Sequence, residues 1–264
     1  MSEIQTETTR DYHDDPRPSW STVKYMLDCP AAYRWRRDNP PTQTPAMQFG
    51  SLVHGLILEP ETVPRDFHAL PIDHNGRTKA GKELVAEIEA AGKAAIKHDV
   101  FADAVKLRDA VRAHPEAARL IDSAAFVEAA FFGRMHGIEA RCKPDVIAED
   151  GTVWDLKTTD SLKPALFRSK AARLGYYGQI ASNAQLCSAV LGQDLKPGGL
   201  IVVQTNGPAL VEVLRYGIDA VAFGEQQCHE AWSRLADCLA ADVWPGYEWG
   251  GEMGVPSWAL GGDE

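Results

Sequence analysis

Alternating apolar and polar residues divide the chain into a helical first half and a second half of mixed strands and helices. Before residue 123, apolar residues recur at three- and four-residue steps in several segments. This spacing is typical of amphipathic helices. The predicted elements of the first half are helices over Ser19 to Leu27, Pro30 to Arg37, Met47 to Leu58, Lys79 to Ala95, Asp99 to Ala113 and Pro115 to Asp122, with extended chain and loop over 61–78.

The second half contains shorter runs rich in β-branched and aromatic residues, which predict strands. Strands, then helices, then strands again indicate an α/β fold with a central mixed sheet flanked by helices. The N-terminal helices are expected to form a lobe over one end of the sheet. The predicted elements are strands Ala125 to Phe132, Ile138 to Ile147 and Thr152 to Thr158, helices from Leu162 to about Leu191, strands Leu200 to Gln204 and Ala209 to Arg215, and a helix from Asp219 to Ala240.

The pattern predicts four parts along the chain. Residues 1–18 are polar and irregular, which predicts a disordered tail. Residues 19–123 are expected to be a helical region packed on a core formed by residues 124–242. Residues 243–264 are rich in Gly, Trp and Pro and predict a C-terminal tail. No apolar run reaches bilayer length and the N-terminus is polar, so we expect neither a membrane span nor a signal peptide.

Composition narrows the class of protein. The chain has 264 residues, a net charge of −10, and five cysteines without a C-x-x-C pair. An odd cysteine count without paired spacing predicts a reduced, cytoplasmic protein and does not support an iron–sulfur cluster. The net charge argues against coating nucleic acid by bulk electrostatics, but it leaves room for a nuclease with a local basic groove.

Two local clusters of basic residues stand out against the acidic composition. Tyr33-Arg34-Trp35-Arg36-Arg37 mixes cations with aromatic rings, and Arg168, Lys170 and Arg173 follow the predicted strand Thr152 to Thr158. Each cluster either contacts a phosphate backbone or forms a solvated helix face. The sequence leaves both interpretations open.

The most informative feature is Pro144-Asp145 followed ten positions later by Asp155-Leu156-Lys157. Between them, Glu149-Asp150-Gly151 predicts a tight turn, so a hairpin would bring the two aspartates together. Alternation places Asp155 and Lys157 on one face of the strand. Adjacent carboxylates repel unless a cation lies between them, and oxygen ligands favour Mg²⁺ or Mn²⁺. The alternative is a solvated hairpin face, which the apolar neighbours of Asp155 disfavour.

Three further residues are candidates for the same site. Glu128 lies just before the hairpin and either joins the aspartates or is an exposed strand residue. His54 follows Gly50 and Ser51 on a predicted helix, where it is either structural or a ligand of a second metal. Gln179 shares a helix face with Tyr176 and Asn183, which is either functional or a polar helix surface.

One apparent motif is rejected. Gly76 to Lys82 matches most of a phosphate-binding loop, but the next residue is Glu83 instead of Ser or Thr. The hydroxyl that would bind magnesium is therefore missing, and no buried strand precedes the loop. Nucleotide hydrolysis by this segment is not expected.

Taken together, Pro144-Asp145 and Asp155-Leu156-Lys157 resemble the signature of PD-(D/E)xK, or restriction-endonuclease-like, nucleases. The chain resembles one branch in more detail, the phage-type exodeoxyribonuclease VIII (RecE-like) exonucleases, over residues 19 to 215. The stretches that carry this resemblance are Phe49 to His54 with Leu58-Glu59-Pro60, Thr78 to Lys82, Lys143-Pro144-Asp145, Trp154 to Thr159, and Tyr176 to Gln179.

The resemblance implies roles for the candidate residues. Glu128, Asp145, Asp155, His54 and the Leu156 backbone carbonyl would bind Mg²⁺, for which Mn²⁺ can substitute, and Lys157 would be the catalytic lysine. Gln179 would support the site. The family's helix motif has a tyrosine four residues after the glutamine, where this chain has Asn183. This difference weakens the expectation that the helix contacts DNA.

The resemblance also implies an activity and partners. The expected protein is a 5′ to 3′ exonuclease that acts on double-stranded DNA ends and leaves single strands for recombination. It would form a ring-like homo-oligomer, work with a single-strand annealing protein, and act in the cytoplasm of a bacterium or phage-infected host. Two alternatives remain: another PD-(D/E)xK nuclease of RecB-like or restriction type, and a catalytically silent DNA-binding or scaffold protein.

Overall fold

The computed structural model describes residues 3–5, 12, 14–248, 250–255 and 259. Helices dominate the first half, as the apolar periodicity predicts. The helices are α1 (Trp20–Val23), a 3-10 helix (Lys24–Leu27), α2 (Pro30–Asp38), α3 (Pro45–Leu58), α4 (Val63–Asp66), α5 (Lys79–Ala90), α6 (His98–Ala113), α7 (Pro115–Asp122), α8 (Pro164–Leu174), α9 (Tyr176–Leu191) and α10 (Ile218–Ala241).

Ten strands form three sheets among the described residues. The strands are β1 (Glu3–Gln5), β2 (Phe67–Ala69), β3 (Ala94–Ile96), β4 (Ala124–Val127), β5 (Ala130–Met135), β6 (Ile138–Cys142), β7 (Val146–Ala148), β8 (Thr152–Thr159), β9 (Lys196–Gln204) and β10 (Val211–Arg215). The central sheet has the order β10-β9-β8-β7-β4, while β1-β5-β6 and the pair β2-β3 form smaller sheets. In the central sheet β8 and β9 run parallel and the other pairs are antiparallel, so it is mixed.

Helices cover both faces of the central sheet, and alternation along β8 assigns its side chains to the two sides. Trp154 and Leu156 are fully buried in a cluster with apolar residues of α3, α6 and α7. Val153 points to the other cluster, which contains buried residues of α1, α9 and α10. The predicted α/β architecture, a mixed sheet flanked by helices, is confirmed.

The prediction of continuous strands before the hairpin is wrong in two places. Ala125 to Phe132 divides into β4 and β5, which belong to different sheets. The break falls at Glu128, whose φ of 49° is left-handed and cannot continue a strand. Ile138 to Ile147 likewise divides into β6 and β7 around Lys143-Pro144, where proline lacks the amide a ladder requires.

Several helix boundaries also differ from the prediction. Lys79 to Ala95 ends as a helix at Ala90, because Gly92 takes a left-handed φ of 74° and the chain then forms β3. The helical stretch from Leu162 to Leu191 is broken by Gly175, also left-handed, into α8 and α9. The segment 61–78, predicted as extended chain and loop, contains α4 as well as β2.

The two ends of the chain are only partly described. Residues 3–5 pair with β5 as a short antiparallel strand. The rest of the predicted disordered tail before residue 14, apart from residue 12, lies outside the described residues, as do residues 249, 256–258 and 260–264 of the predicted C-terminal tail. The predicted disorder and the proposed division into four parts stay predictions.

Two further observations bear on the class of protein. All five cysteines are free and buried. Among the described helices, none has the length and apolar character needed to cross a membrane.

Candidate active site

The hairpin of β7 and β8 places the two aspartates next to each other. Val146 pairs with Trp154 in the antiparallel ladder. Asp145 and Asp155 are the next residues on the same side of this pair, so they lie next to each other across the hairpin. The turn between the strands contains Gly151 with a φ of 78°, as the sequence predicted. Asp145 is buried, and its Oδ2 atom accepts a hydrogen bond of 2.6 Å from the Leu156 amide. The Asp145 carboxylate is therefore held by the backbone of β8.

Glu128 and His54 join Asp145 from two other elements. His54 Nδ1 on α3 lies 3.6 Å from Asp145 Oδ2 and 3.9 Å from Glu128 Oε1. One potential ligand atom from each of the three residues lies within 4.8 Å of the others. Glu128 is fixed by its own backbone, because its amide donates to the Asp145 carbonyl at 3.1 Å.

The left-handed backbone of Glu128 has a cost of about 1 to 3 kcal/mol for a residue that is not glycine. Such strain persists only where the surrounding structure fixes it, and it concentrates at functional sites. At this position the break in the strand turns the carboxylate toward His54 and Asp145. The left-handed conformation of Glu128, which made the prediction of a continuous strand wrong, therefore helps to assemble the site.

Asp155, Lys157 and Gln179 form the other side of the site. Lys157 Nζ forms an ion pair with Asp155 Oδ2, at a distance of 2.5 Å. Gln179 on α9 donates from Nε2 to Asp155 Oδ1 at 2.7 Å and accepts from Lys157 Nζ at 3.1 Å. The amide thus fixes both the carboxylate and the ammonium group. The ring of Tyr176 lies under Lys157 Nζ, 4.7 Å away.

The electrostatics show an excess of negative charge in a buried space. Burial raises the pKa of Asp145, and the neighbouring Asp155 adds to this, bringing it to about 8. Burial opposes charge on His54, but Asp145 and Glu128 outweigh it and raise the pKa of His54 to about 9. Burial likewise opposes the charge of Lys157, and Asp155 and Asp145 outweigh it, so its pKa is raised.

A divalent cation fits this set of side chains. Three carboxylates and one imidazole converge, and carboxylate oxygens are the ligands that Mg²⁺ and Mn²⁺ prefer. Asp145, Glu128 and His54 are near enough to share one ion, with Asp155 beside them. The Leu156 carbonyl belongs to the strand between Asp155 and Lys157, and its role as a ligand stays a prediction.

The sequence analysis missed Lys143, a buried cation beside the acids. Its Nζ atom lies 2.8 Å from Glu128 Oε2 and 3.2 Å from Glu59 Oε2, and its side chain is 7% exposed. Lys143 stands two residues before Asp145, and this spacing gave the one available signal, because alternate residues of extended chain share a side. The lysine links Glu128 to the end of α3, the helix that carries His54.

Not every candidate residue lies at the site. Asn183 is buried one turn beyond Gln179 and does not present its side chain on an open surface. Lys170 is paired with Asp160 at 2.7 Å, and Arg168 and Arg173 are exposed on α8. Within Gly76 to Lys82, Thr78 is the N-cap of α5, and its hydroxyl accepts a hydrogen bond from the Gly81 amide.

Comparisons with known proteins agree with this fold. Residues 19–252 match the family described as "PDDEXK-like domain of unknown function (DUF3799)", and the chain belongs to this family. Its structure is similar to that of a "Putative exonuclease" from Eubacterium rectale, with a TM-score of 0.63 and 12% identity over 90% of this chain and 88% of the other. The search of curated proteins finds no match.

The chain is thus of the PD-(D/E)xK class, and its fold is restriction-endonuclease-like. Nucleases with this fold use divalent metal ions, and the group of His54, Glu128 and Asp145 offers a place for one. Family and site together support a nuclease, a hydrolase that acts on nucleic acid.

Lys143 gives a prediction about stability. Lys143→Met leaves Glu128 and Glu59 facing each other in a partly buried space without the cation between them. We expect a loss of about 3 kcal/mol in the free energy of unfolding, the lower end for breaking a buried ion pair. Mn²⁺ should restore more stability to this variant than to the native protein, since it neutralises Glu128. Thermal unfolding with and without Mn²⁺ measures both effects.

The matched control is Lys106→Met, which removes an exposed lysine paired with Asp103 at 2.8 Å on α6. An exposed pair contributes about 0 to 1 kcal/mol, so little change is expected. If Lys143→Met unfolds at the native temperature, Lys143 does not hold Glu128 in place.

Proposed function

We propose that this protein is a metal-dependent exonuclease that hydrolyses the phosphodiester bonds of linear double-stranded DNA from its ends. The observation that carries the proposal is the convergence of His54, Glu128 and Asp145 beside the Asp155–Lys157 pair. The class of fold agrees with it, and the similar structure from Eubacterium rectale is described as a "Putative exonuclease".

Each residue has a role that follows from its contacts. Asp145, Glu128, His54 and Asp155 would hold the cation, with Mg²⁺ as the proposed ion and Mn²⁺ as its substitute. When bound, the ion supplies Lewis-acid activation of the phosphate and lowers the pKa of a water molecule. Lys157 places a positive charge where negative charge develops on the phosphate oxygens during displacement. Gln179 keeps the Asp155 carboxylate and the Lys157 ammonium group in fixed orientations.

The finer features of the proposal rest on the resemblance to the RecE-like exonucleases. They are 5′ to 3′ polarity, a ring-like homo-oligomer, a single-strand annealing protein as partner, and action in the cytoplasm of a bacterium or phage-infected host. The product would be single-stranded DNA for recombination.

One assay tests the proposal against its alternatives. The purified protein is incubated with end-labelled linear duplex and with closed circular plasmid, each with Mg²⁺ and with EDTA. We expect the linear duplex to be degraded with Mg²⁺ but not with EDTA, and the circular plasmid to stay intact. Labels placed on the 5′ or the 3′ ends report the polarity. Cleavage of the circle would favour an endonuclease of restriction type. DNA binding without hydrolysis of either substrate would favour a silent DNA-binding protein.

A further inference from the structure

A line of cationic and aromatic side chains leads from Lys157 to helix α2. The ring of Tyr176 contacts Lys157 Nζ, and Tyr176 begins α9 just after the break at Gly175. On the other side of this break, the carbonyl oxygen of Leu174 accepts a hydrogen bond of 3.2 Å from Lys24 Nζ. Lys24 therefore lies beside the helix junction that positions Tyr176.

The line continues through Tyr25 to α2. Lys24 Nζ is 5.7 Å from the centre of the Tyr25 ring, and the guanidinium carbon of Arg36 is 5.3 Å from the same centre. The next residue along the chain from Arg36 toward the N-terminus, Trp35, is 61% exposed. We call Tyr176, Lys24, Tyr25, Arg36 and Trp35 the cation–aromatic strip.

Helix α2 is held firmly enough to present this strip. Tyr33 is buried and stacks on Trp244 with ring centres 5.8 Å apart. The guanidinium of Arg34 lies over the same indole, and the amide of Ala31 donates to the Pro245 carbonyl at 3.0 Å. The C-terminal segment thus fixes one side of α2 and leaves Trp35 open to solvent.

Both cations of the strip, Lys24 and Arg36, lack an acidic partner among the described residues. The chain has 27 Lys and Arg against 37 Asp and Glu, yet neither Lys24 nor Arg36 forms an ion pair with a described residue. Burial lowers the pKa of Lys24, and the charges of Lys157 and Arg36 lower it further.

A single exposed tryptophan needs no special explanation on its own. Here it is the chain neighbour of Arg36, which ends a line of cations and aromatic rings that begins at the candidate catalytic lysine. Alternating cations and aromatic rings are the means by which proteins bind single-stranded nucleic acid, because phosphates pair with the cations and unpaired bases stack on the rings. Bases inside a duplex cannot stack in this way.

We propose that the cation–aromatic strip binds single-stranded DNA continuous with the active site, with Arg36 at a phosphate and a base stacked on Trp35. This proposal rests on the proposed nuclease function and adds to it the path of the unpaired strand. It assigns a task to the Tyr33 to Arg37 segment, which the sequence alone left between a DNA contact and a solvated face.

The test measures binding of a short fluorescein-labelled single strand, and of the same strand annealed to its complement, by fluorescence anisotropy. All proteins carry Asp155→Asn so that the DNA stays intact. Trp35→Ala should weaken single-strand binding about tenfold, the effect expected for loss of one stacked base. Trp35→Phe should keep most of the affinity, and duplex affinity should change little. Arg36→Gln should reduce the slope of log affinity against log salt by about 0.7, equivalent to one phosphate contact.

Arg234→Gln is the matched control, since Arg234 lies on α10 and is paired with Glu230. It should leave both the affinity and the salt slope unchanged. The proposal is overturned if Trp35→Ala binds the single strand as tightly as the parent. It is also overturned if Trp35→Ala and Trp35→Phe lose the same amount of single-strand affinity. Hydrolysis by the protein without Asp155→Asn is measured separately, so that a failed strip is distinguished from a failed nuclease assignment.

Discussion

Asp155→Asn is expected to reduce Mg²⁺-dependent degradation of linear duplex by more than about a thousandfold, to the level of no enzyme. The substitution removes a negative charge but keeps an oxygen to accept the hydrogen bond from Gln179. Because Asp155 is 2% exposed and faces Lys157 at 2.5 Å, the charge that is lost lies inside the site. Asp155→Ala should abolish activity equally. Time courses of nucleotide release from end-labelled DNA measure the effect.

The control for this substitution is Asp194→Asn. Asp194 is 80% exposed and pairs with Lys196 at 2.5 Å, beside the turn of the hairpin and not among the acids of the site. It should degrade DNA at the native rate. Undiminished activity of Asp155→Asn, with a native circular dichroism spectrum for both variants, refutes the assignment of Asp155 to the active site.

Lys157→Met is expected to lower kcat by about a hundred- to a thousandfold, comparable to the loss of one preorganised group that stabilises transition-state charge. Replacing an acidic ligand should weaken metal binding, whereas Lys157→Met should leave the Mn²⁺ affinity unchanged or raise it. Lys157 Nζ is paired with Asp155 Oδ2. Removing the ammonium group therefore leaves the carboxylate at least as available to a cation. Single-turnover hydrolysis gives the rate, and calorimetric titration with Mn²⁺ gives the affinity.

Lys170→Met is the matched control, since Lys170 lies on α8 and pairs with Asp160 at 2.7 Å. Neither its rate nor its Mn²⁺ affinity should change. A loss of Mn²⁺ affinity in Lys157→Met, or a raised KM with an unchanged kcat, would show that Lys157 organises the site or binds substrate without acting on the chemical step.

The hairpin was predictable because local sequence determines it. Glu149-Asp150-Gly151 defines the turn, and strict alternation then places Asp155 and Lys157 on the same side of β8. The long helices followed from their apolar period. These features depend on neighbours close in the chain, where the signal in a single sequence is strongest.

The assembly of the site depends on contacts between distant residues. His54 precedes Asp145 by about ninety positions, and nothing in its helix specifies that it meets the hairpin. Glu128 was predicted inside a continuous strand because its neighbours are apolar and β-branched or aromatic. Its left-handed backbone is a tertiary effect that overrides this local preference.

The role of Lys143 was hidden for a related reason. A lysine near an aspartate is ordinarily solvated, and its burial between Glu59 and Glu128 arises only when α3 packs on the sheet. The spacing of the motif around Asp145 and Asp155 does not indicate which other residues hold the ligands in place. Residues that hold the ligands in position are therefore harder to predict than the ligands themselves.

The most direct test of the account is anomalous diffraction from crystals of this protein soaked in Mn²⁺. The account predicts a manganese peak among His54, Glu128, Asp145 and Asp155, with ligand distances near 2 Å. Crystals that show no peak there, at a Mn²⁺ concentration that supports DNA degradation in solution, would contradict it.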